Sequence, residues 1–395
     1  MIHMNRHYSD LKESYLFFRI AEKIREYQRM HPGKSLLRMG IGDVSLPLCP
    51  AVITALHEAV AMQGEKKTFH GYVSETGDPL LRAAIARHYQ KRGVDIREEE
   101  VFVSSGASDE LGDLLDLFDA ASPAMIIEPA YPAYVDASVI AGREILFVSA
   151  KEENHFLPLP DETSDPGIIY LCSPNNPTGA AMDRITLQRW VDYANGKDAV
   201  ILYDAAYEAF ISDLSIPHSI FELPGARTCA IEICSLSKTA GFTGTRCGYT
   251  IIPKELEKEG MNLSKMWTRN RTTKTNGVSF VIQRGALAVF TEEGQKEIQE
   301  TLSVYRANGR VFTEALDALG VYYTGGKNAP YIWVKCPEGK GSWEVFDELL
   351  EEAQIVCTPG QGFGESGEGY IRFSMFADPD DTIEAARRLK ALWKK

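Results

Sequence analysis

Residues 229–248 read Cys-Ala-Ile-Glu-Ile-Cys-Ser-Leu-Ser-Lys-Thr-Ala-Gly-Phe-Thr-Gly-Thr-Arg-Cys-Gly. The first six have the length and apolar character of a strand covered on both faces. A run of small residues follows, and it carries Lys238 and Arg246. A lone lysine is ordinarily a solvated surface charge. This one follows an apolar strand, and the glycines around it let backbone approach a ligand closely. Arg246 offers a two-pronged fork for an oxyanion. A lysine beside a cation in a partly dry pocket loses proton affinity and can act as a nucleophile.

Outward from this segment, short apolar runs alternate with helical stretches. The runs are 101–104, 124–128, 144–148, 168–172, 199–203, 229–234 and 249–252, and Leu111, Leu114, Leu115 and Phe118 mark one intervening helix. The alternation predicts an α/β fold, a mostly parallel seven-stranded sheet between helices. Upstream, Leu16, Ile20, Ile24 and Tyr27 recur at helical spacing, and His31-Pro32-Gly33 stops that helix. Beyond about residue 286, long charged helices surround a few strands such as 331–335 and 370–374. The division expected is an N-terminal segment 1–40 joining a small domain, a large domain 41–285, and a small α+β domain 286–395.

The totals narrow the function. The chain has 395 residues, 44% hydrophobic and 25% charged, with a net charge of -13. That is ordinary globular composition, and the acidic balance argues against nucleic acid as a partner. The seven cysteines form no C-x-x-C pair and are odd in number, which argues against a disulfide framework or a zinc site. The first residues lack a signal-peptide core, and no apolar run approaches a membrane span. A cytoplasmic protein with no metal and no membrane partner is expected.

Open α/β sheets bind ligands beyond the carboxyl ends of their strands. At those ends stand Ser105-Gly106-Ala107-Ser108, Pro129-Ala130-Tyr131, Ser173-Pro174-Asn175-Asn176-Pro177-Thr178-Gly179, Asp204 with Tyr207, and Ser235-Leu236-Ser237-Lys238. Each has an ordinary reading beside the functional one. Gly106-Ala107-Ser108 is as readily a turn with a helix cap as an anion site. Tyr131 could fill core or stack on a planar ring. Asn175-Asn176-Pro177 is a natural turn. Asp204 could cap a helix, or keep a pyridine nitrogen protonated and so make the ring a better electron sink. Their convergence on one sheet edge is what favours the functional reading.

Taken together, Ser-Pro-Asn-Asn-Pro-Thr-Gly at 173–179, Tyr-Asp-Ala-Ala-Tyr at 203–207, Ser-x-Ser-Lys with Arg246 eight residues on, and Tyr-Ile-Arg-Phe-Ser at 370–374 resemble the fold-type I pyridoxal-phosphate enzymes of the aspartate aminotransferase superfamily. The resemblance spans essentially the whole chain. It implies that Lys238 carries pyridoxal 5'-phosphate as a Schiff base and moves the 1,3-proton. Asp204 would pair with the pyridine nitrogen, Tyr207 and Asn176 with the ring's 3-oxygen, and Tyr131 would stack on the ring. Ala107, Ser108, Ser235, Ser237 and Arg246 would cradle the phosphate. Tyr72 would reach the phosphate of a neighbouring subunit, which implies a homodimer with shared active sites. Arg372 would clamp the substrate α-carboxylate.

Within that superfamily the chain looks most like the LL-diaminopimelate aminotransferases, which interconvert tetrahydrodipicolinate plus glutamate with LL-diaminopimelate plus 2-oxoglutarate on a route to lysine. Tyr15-Leu16-Phe17, Leu37 to Asp43, Gly71 to Gly77, Thr273 to Gly277 and Pro359 to Gly364 carry the likeness. It implies that Tyr15, Gly42, Asn176, Glu75 and Asn276 lie near the substrate, with Glu75 on the distal ammonium. There are two departures. The family usually has Gly-Ala-Lys where this chain has Gly106-Ala107-Ser108, and that lysine would help hold the distal carboxylate. It also tends to have Arg where this chain has Cys234. The rival activities are transamination of aspartate, aromatic or other amino acids, and a carbon–sulfur β-lyase on the same lysine. A non-enzymatic alternative is a ligand-sensing aminotransferase-like protein; such regulators carry a DNA-binding module, and none is expected ahead of the first matched motif.

Overall fold

The computed structural model describes residues 1–11 and 16–394. A first helix, α1 (Leu16–Met30), buries Leu16, Ile20, Ile24 and Tyr27 along one face, the stripe that the helical spacing predicts. The main sheet comprises β1 (Val101–Ser104), β2 (Ala124–Glu128), β3 (Ile145–Ser149), β4 (Ile168–Cys172), β5 (Val200–Asp204), β6 (Ala230–Ser235) and β7 (Gly248–Ile251). Their spatial order is β1-β7-β6-β5-β4-β2-β3. β7 runs antiparallel to both neighbours, and the remaining pairs are parallel. The mostly parallel seven-stranded α/β sheet expected from the alternation is therefore the one observed. Every residue of β4, β5 and β6 is buried, which is why these strands read as continuous apolar runs rather than as alternation.

Three strands, β3, β5 and β6, begin and end one residue later than the apolar pattern suggests, and β7 begins and ends one earlier. β5 takes in Asp204 and β6 takes in Ser235. The reason is backbone pairing: Asp204 sits opposite Cys172 on one side and Ile233 on the other, so a polar side chain costs the ladder nothing. The helix expected over 111–118 is also shorter. It runs as α2 (Ala107–Asp113) and tightens to a 3-10 turn at Leu114–Leu117. Arg143, buried, donates there to the carbonyls of Leu115 (2.7 Å), Phe118 (2.6 Å), Asp119 (2.5 Å) and Ser122 (3.2 Å), satisfying acceptors that a continuing helix would have used.

The later part of the chain forms a second, antiparallel sheet. It holds β8 (Tyr323–Gly325), β9 (Tyr331–Lys335), β10 (Thr358–Pro359) and β11 (Tyr370–Ser374) in the order β8-β9-β11-β10. A 28-residue helix, Glu292–Leu319, about 42 Å long at 1.5 Å per residue, precedes it. From this helix Asn308 donates to the carbonyls of Met375 (3.1 Å) and Ala377 (2.8 Å). Its Tyr305 hydroxyl accepts from the amides of Ser45 and Leu46, fixing the segment just after Gly42-Asp43. Upstream of that segment, Leu37–Arg38 pairs in parallel with Ile355–Val356. All seven cysteines are free and buried, and no helix among the described residues is long and apolar enough to cross a membrane.

Arg143→Met should leave buried carbonyls without donors and cost about 2–4 kcal/mol of stability, read as a shift of the urea midpoint. A variant within about 0.5 kcal/mol of the parent, the range of a neutral surface change, would show that the guanidinium does not hold this corner.

Candidate active site

Lys238 lies on a five-residue helix, α3 (Leu236–Ala240), directly after β6. Ser235 caps it by accepting from the Ser237 amide at 3.1 Å, and Gly241 ends it with φ +79°. The lysine is thus presented at the carboxyl edge of the sheet, where its Nζ donates to the Gly42 carbonyl at 2.5 Å. A side chain at position 42 would meet the Tyr331 hydroxyl at 2.8 Å, so only glycine lets the chain pass this close. Burial lowers the Lys238 pKa to about 8; Asp43 opposes the shift, while Arg372 and Arg246 add to it. A sizeable neutral fraction at physiological pH is what an amine nucleophile or base requires.

Two cavities meet at this amine. The larger, about 540 Å³, is lined among others by Gly42, Asp43, Tyr131, Asn176, Tyr207, Lys238, Tyr331 and Arg372. The smaller, about 290 Å³, shares Asp43, Tyr131, Asn176, Tyr207 and Lys238, and adds Ala107, Ser108, Tyr134, Asp204, Ser235, Ser237, Thr243 and Arg246. The expected site residues thereby separate into two groups on either side of Lys238. One holds hydroxyls and Arg246; the other holds Arg372.

Arg246 stands at φ +62° and donates to the Ser237 hydroxyl (3.2 Å) and the Thr243 carbonyl (3.3 Å). Gly106, at φ +135°, lies against it: a Cβ there would come within 2.4 Å of the guanidinium. Backbone, the hydroxyls of Ser108, Ser235, Ser237 and Thr243, and a fork-shaped cation therefore line one recess, a donor set suited to a phosphate-sized anion.

Asp204 is buried and has no cation partner among the described residues. Its Oδ2 accepts from the Tyr134 hydroxyl at 2.5 Å and its Oδ1 from the Ala206 amide at 3.0 Å. Burial raises its pKa, and those two donors pull it back down. An acid this dry and without a positive neighbour is poised for a cationic N–H from a ligand.

Arg372 is the mirror case. It is 1% exposed, and no carboxylate among the described residues pairs with it. Its Nη1 donates to Asn176 Oδ1 at 2.6 Å and its Nη2 to the Gly40 carbonyl at 2.8 Å, while its Nε is buried without a partner. The guanidinium lies 4.3 Å from the Tyr331 ring and 4.9 Å from that of Phe363. Such a charge is tolerated by neutral acceptors and aromatic faces, and is completed only by an incoming anion.

The two asparagines of the 173–179 turn have different tasks. Asn175 Oδ1 accepts from the amide and hydroxyl of Thr178, which is turn-making, whereas Asn176 faces the cavity. Tyr207 donates to or accepts from the Tyr331 hydroxyl at 3.0 Å. Tyr131 packs edge-on to Tyr134, with centroids 5.6 Å apart.

Tyr72, Glu75 and Asn276 do not line either cavity. Tyr72 is 90% exposed. A side chain at Gly277 would meet the Ser74 carbonyl at 2.7 Å, so the turn after Asn276 packs against the Tyr72–Glu75 loop and the three share one stretch of surface. Tyr15 lies outside the described residues. Tyr134, Thr243, Tyr331 and Asp43 join the site without having been singled out. Only Asp43 left a signal, the glycines at 40 and 42 just before it.

The free amine of Lys238 should acylate with a midpoint near pH 8, well below surface lysines. Asp43→Asn should move that midpoint lower still, because the carboxylate favours the charged form. Competitive acetylation of ligand-free protein with peptide mass spectrometry reads both, and a Lys238 that titrates with the surface lysines would contradict this picture.

Comparison with known proteins agrees with the geometry. A family model described as aminotransferase class I and II matches residues 34–389. The chain is 48% identical to the LL-diaminopimelate aminotransferase of Lachnospira eligens, covering 99% of this chain and 100% of that one. It is 46% identical to that of Bacteroides fragilis, covering 98% of each. The solved structure of L,L-diaminopimelate aminotransferase from Chlamydomonas reinhardtii superposes with a TM-score of 0.94 at 36% identity, over 99% of both chains. The chain belongs to the class I and II aminotransferases, enzymes of the fold-type I class that use pyridoxal phosphate, and within them to the LL-diaminopimelate aminotransferase family.

Proposed function

We propose that this enzyme holds pyridoxal 5'-phosphate on Lys238 and transfers the amino group between LL-diaminopimelate and 2-oxoglutarate, yielding tetrahydrodipicolinate and glutamate or running the reverse. The observation that carries the reading is a pair of unanswered buried charges on either side of one amine. Among the described residues Asp204 has no cation and Arg372 no anion, and Lys238 stands where the two cavities join.

The residues present fit the cofactor. The recess of Ala107, Ser108, Ser235, Ser237 and Arg246 would hold its phosphate. Asp204 would accept the N–H of its pyridine nitrogen, Asn176 and Tyr207 would donate to its 3-oxygen, and Tyr131 would cover its face. When bound, pyridoxal phosphate supplies an electron-withdrawing ring that acidifies the substrate's α-carbon.

Arg372 grips the substrate α-carboxylate with its planar fork, and this fixes which α-carbon bond points at Lys238. Lys238 Nζ, with its lowered pKa, takes the proton from that carbon. Tyr331 and Phe363 keep the arginine dry, which strengthens its hold on a carboxylate.

The same reading makes the enzyme a cytoplasmic homodimer. Tyr72 would reach the phosphate of the partner's site, and Glu75, Asn276 and Tyr15 would approach its substrate, with Glu75 on the distal ammonium. Support comes from the exposure of Tyr72 and from its sharing one surface with Glu75 and Asn276. Seven free, buried cysteines suit a reducing compartment.

Substrate is tested by a half-reaction screen, in which cofactor-loaded enzyme meets single amino acids and the new 2-oxo acid is measured. Conversion of LL-diaminopimelate and glutamate, with little of aspartate or phenylalanine, is expected, and Lys238→Ala should lose about 10³-fold or more. Conversion of aspartate or aromatic amino acids without diaminopimelate would discard the substrate assignment. Pyruvate and ammonia from cystathionine with no acceptor present would discard transamination itself.

Site sharing is tested by mixing subunits. Lys238→Ala and Tyr72→Ala proteins, each impaired alone, should regain activity when exchanged into heterodimers, because one of the two sites is then intact. A mixture no better than the sum of its parts would show that each site is built from one chain.

A further inference from the structure

The larger cavity carries more positive charge than one amino-acid terminus uses. Its wall holds Lys238 and Arg372, and also Arg25 and Arg38. Its one carboxylate among the described residues, Asp43, also lines the smaller cavity and acts on Lys238, so it belongs to the reacting end. Arg25 and Arg38 are exposed, and no carboxylate among the described residues forms an ion pair with either. The Arg25 guanidinium lies 5.9 Å from the Phe18 ring.

The wall that bears Arg25 is graded. Phe17, Ile20, Ala21, Ile24, Arg25 and Gln28 line the cavity at helical spacing, so one face of α1 forms that side. The face is apolar from Phe17 to Ile24 and then turns cationic and polar. From Phe17 to Arg25 it rises about 12 Å at 1.5 Å per residue. A ligand held by Arg372 thus meets an apolar strip ending in a guanidinium. Ser108 lies in the smaller cavity instead, so position 108 is not on this strip.

We infer that Arg25, together with Arg38, captures the distal carboxylate of a long-chain dicarboxylic amino acid whose methylene groups lie along Ile20, Ala21 and Ile24. The inference rests on the proposed function in one respect, that the α-carboxylate enters at Arg372. It adds the residues that read the far end, and it predicts a preference by chain length. A seven-carbon diacid reaches from Arg372 towards Arg25, whereas glutamate, with five carbons, binds through Arg372 with less help from α1. Because Arg25 and Arg38 are solvent-exposed, their contribution is screened by salt more strongly than that of buried Arg372.

The test compares heptanedioate with heptanoate, ligands that differ only in the far carboxylate. Their affinities for cofactor-loaded enzyme are measured by calorimetry at low and high salt, in the parent, Arg25→Gln, Arg38→Gln and Arg25→Lys. The parent should prefer heptanedioate. Arg25→Gln should shrink that preference roughly threefold to tenfold, Arg38→Gln should shrink it to a lesser or similar degree, and Arg25→Lys should keep part of it. High salt should erode the parent's preference. The kcat/KM ratio of 2-aminopimelate to 2-aminoheptanoate should fall in parallel. An undiminished preference in both glutamine variants would overturn the inference, even in an enzyme that converts diaminopimelate. A parent that fails to convert diaminopimelate yet loses its heptanedioate preference in Arg25→Gln would overturn the substrate assignment and leave the inference standing.

Discussion

A guanidinium at 1% exposure with no acid among the described residues to pair with is the constraint around which this molecule is organised. An isolated buried charge is among the costliest groups a protein can hold. Arg372 is held by contributions from three separate parts of the chain. β11 carries it, the segment after Leu37–Arg38 lends the Gly40 carbonyl, and the turn after β4 lends Asn176. The rings of Tyr331 and Phe363 complete its surroundings. None of these is a carboxylate, so the positive potential is not cancelled and remains available to a substrate acid.

The same economy runs through the rest of the site. Asp204 is kept dry and unanswered on the other side of Lys238, and the lysine between them is held largely by backbone. Its pKa near 8 follows first from burial, with the two arginines adding to the effect. The cofactor and the substrate would each bring the charge that one of these groups lacks. Binding and activation would then be one process: ligands that satisfy Asp204 and Arg372 are also the ones aligned on the amine.

Much of this was legible in the order of residues. Lys238, Asp204, Asn176 and Tyr131 stand immediately after apolar runs, and a parallel sheet brings such ends to one edge, so local pattern plus fold class suffices to gather them. What was not legible depends on contacts distant in sequence. Gly42 meets Lys238 across 196 residues, and Tyr134 reaches Asp204 across 70. Tyr134 and Tyr331 look like any core aromatics until those partners are known. The early end of α2 is set by Arg143, 25 residues beyond Phe118. Arg25 was hidden in a charged helix whose cavity-facing side becomes visible only once Gly42, Lys238, Tyr331 and Arg372 are brought to the same cavity.

The account depends most on Lys238 being the amine that receives the cofactor. Protein incubated with pyridoxal phosphate and reduced with borohydride fixes the cofactor to whichever lysine holds it, and peptide mass spectrometry then locates it. The account predicts a single pyridoxyl group on Lys238, absent from Lys238→Ala. A pyridoxyl group on another lysine with Lys238 unmodified would contradict it.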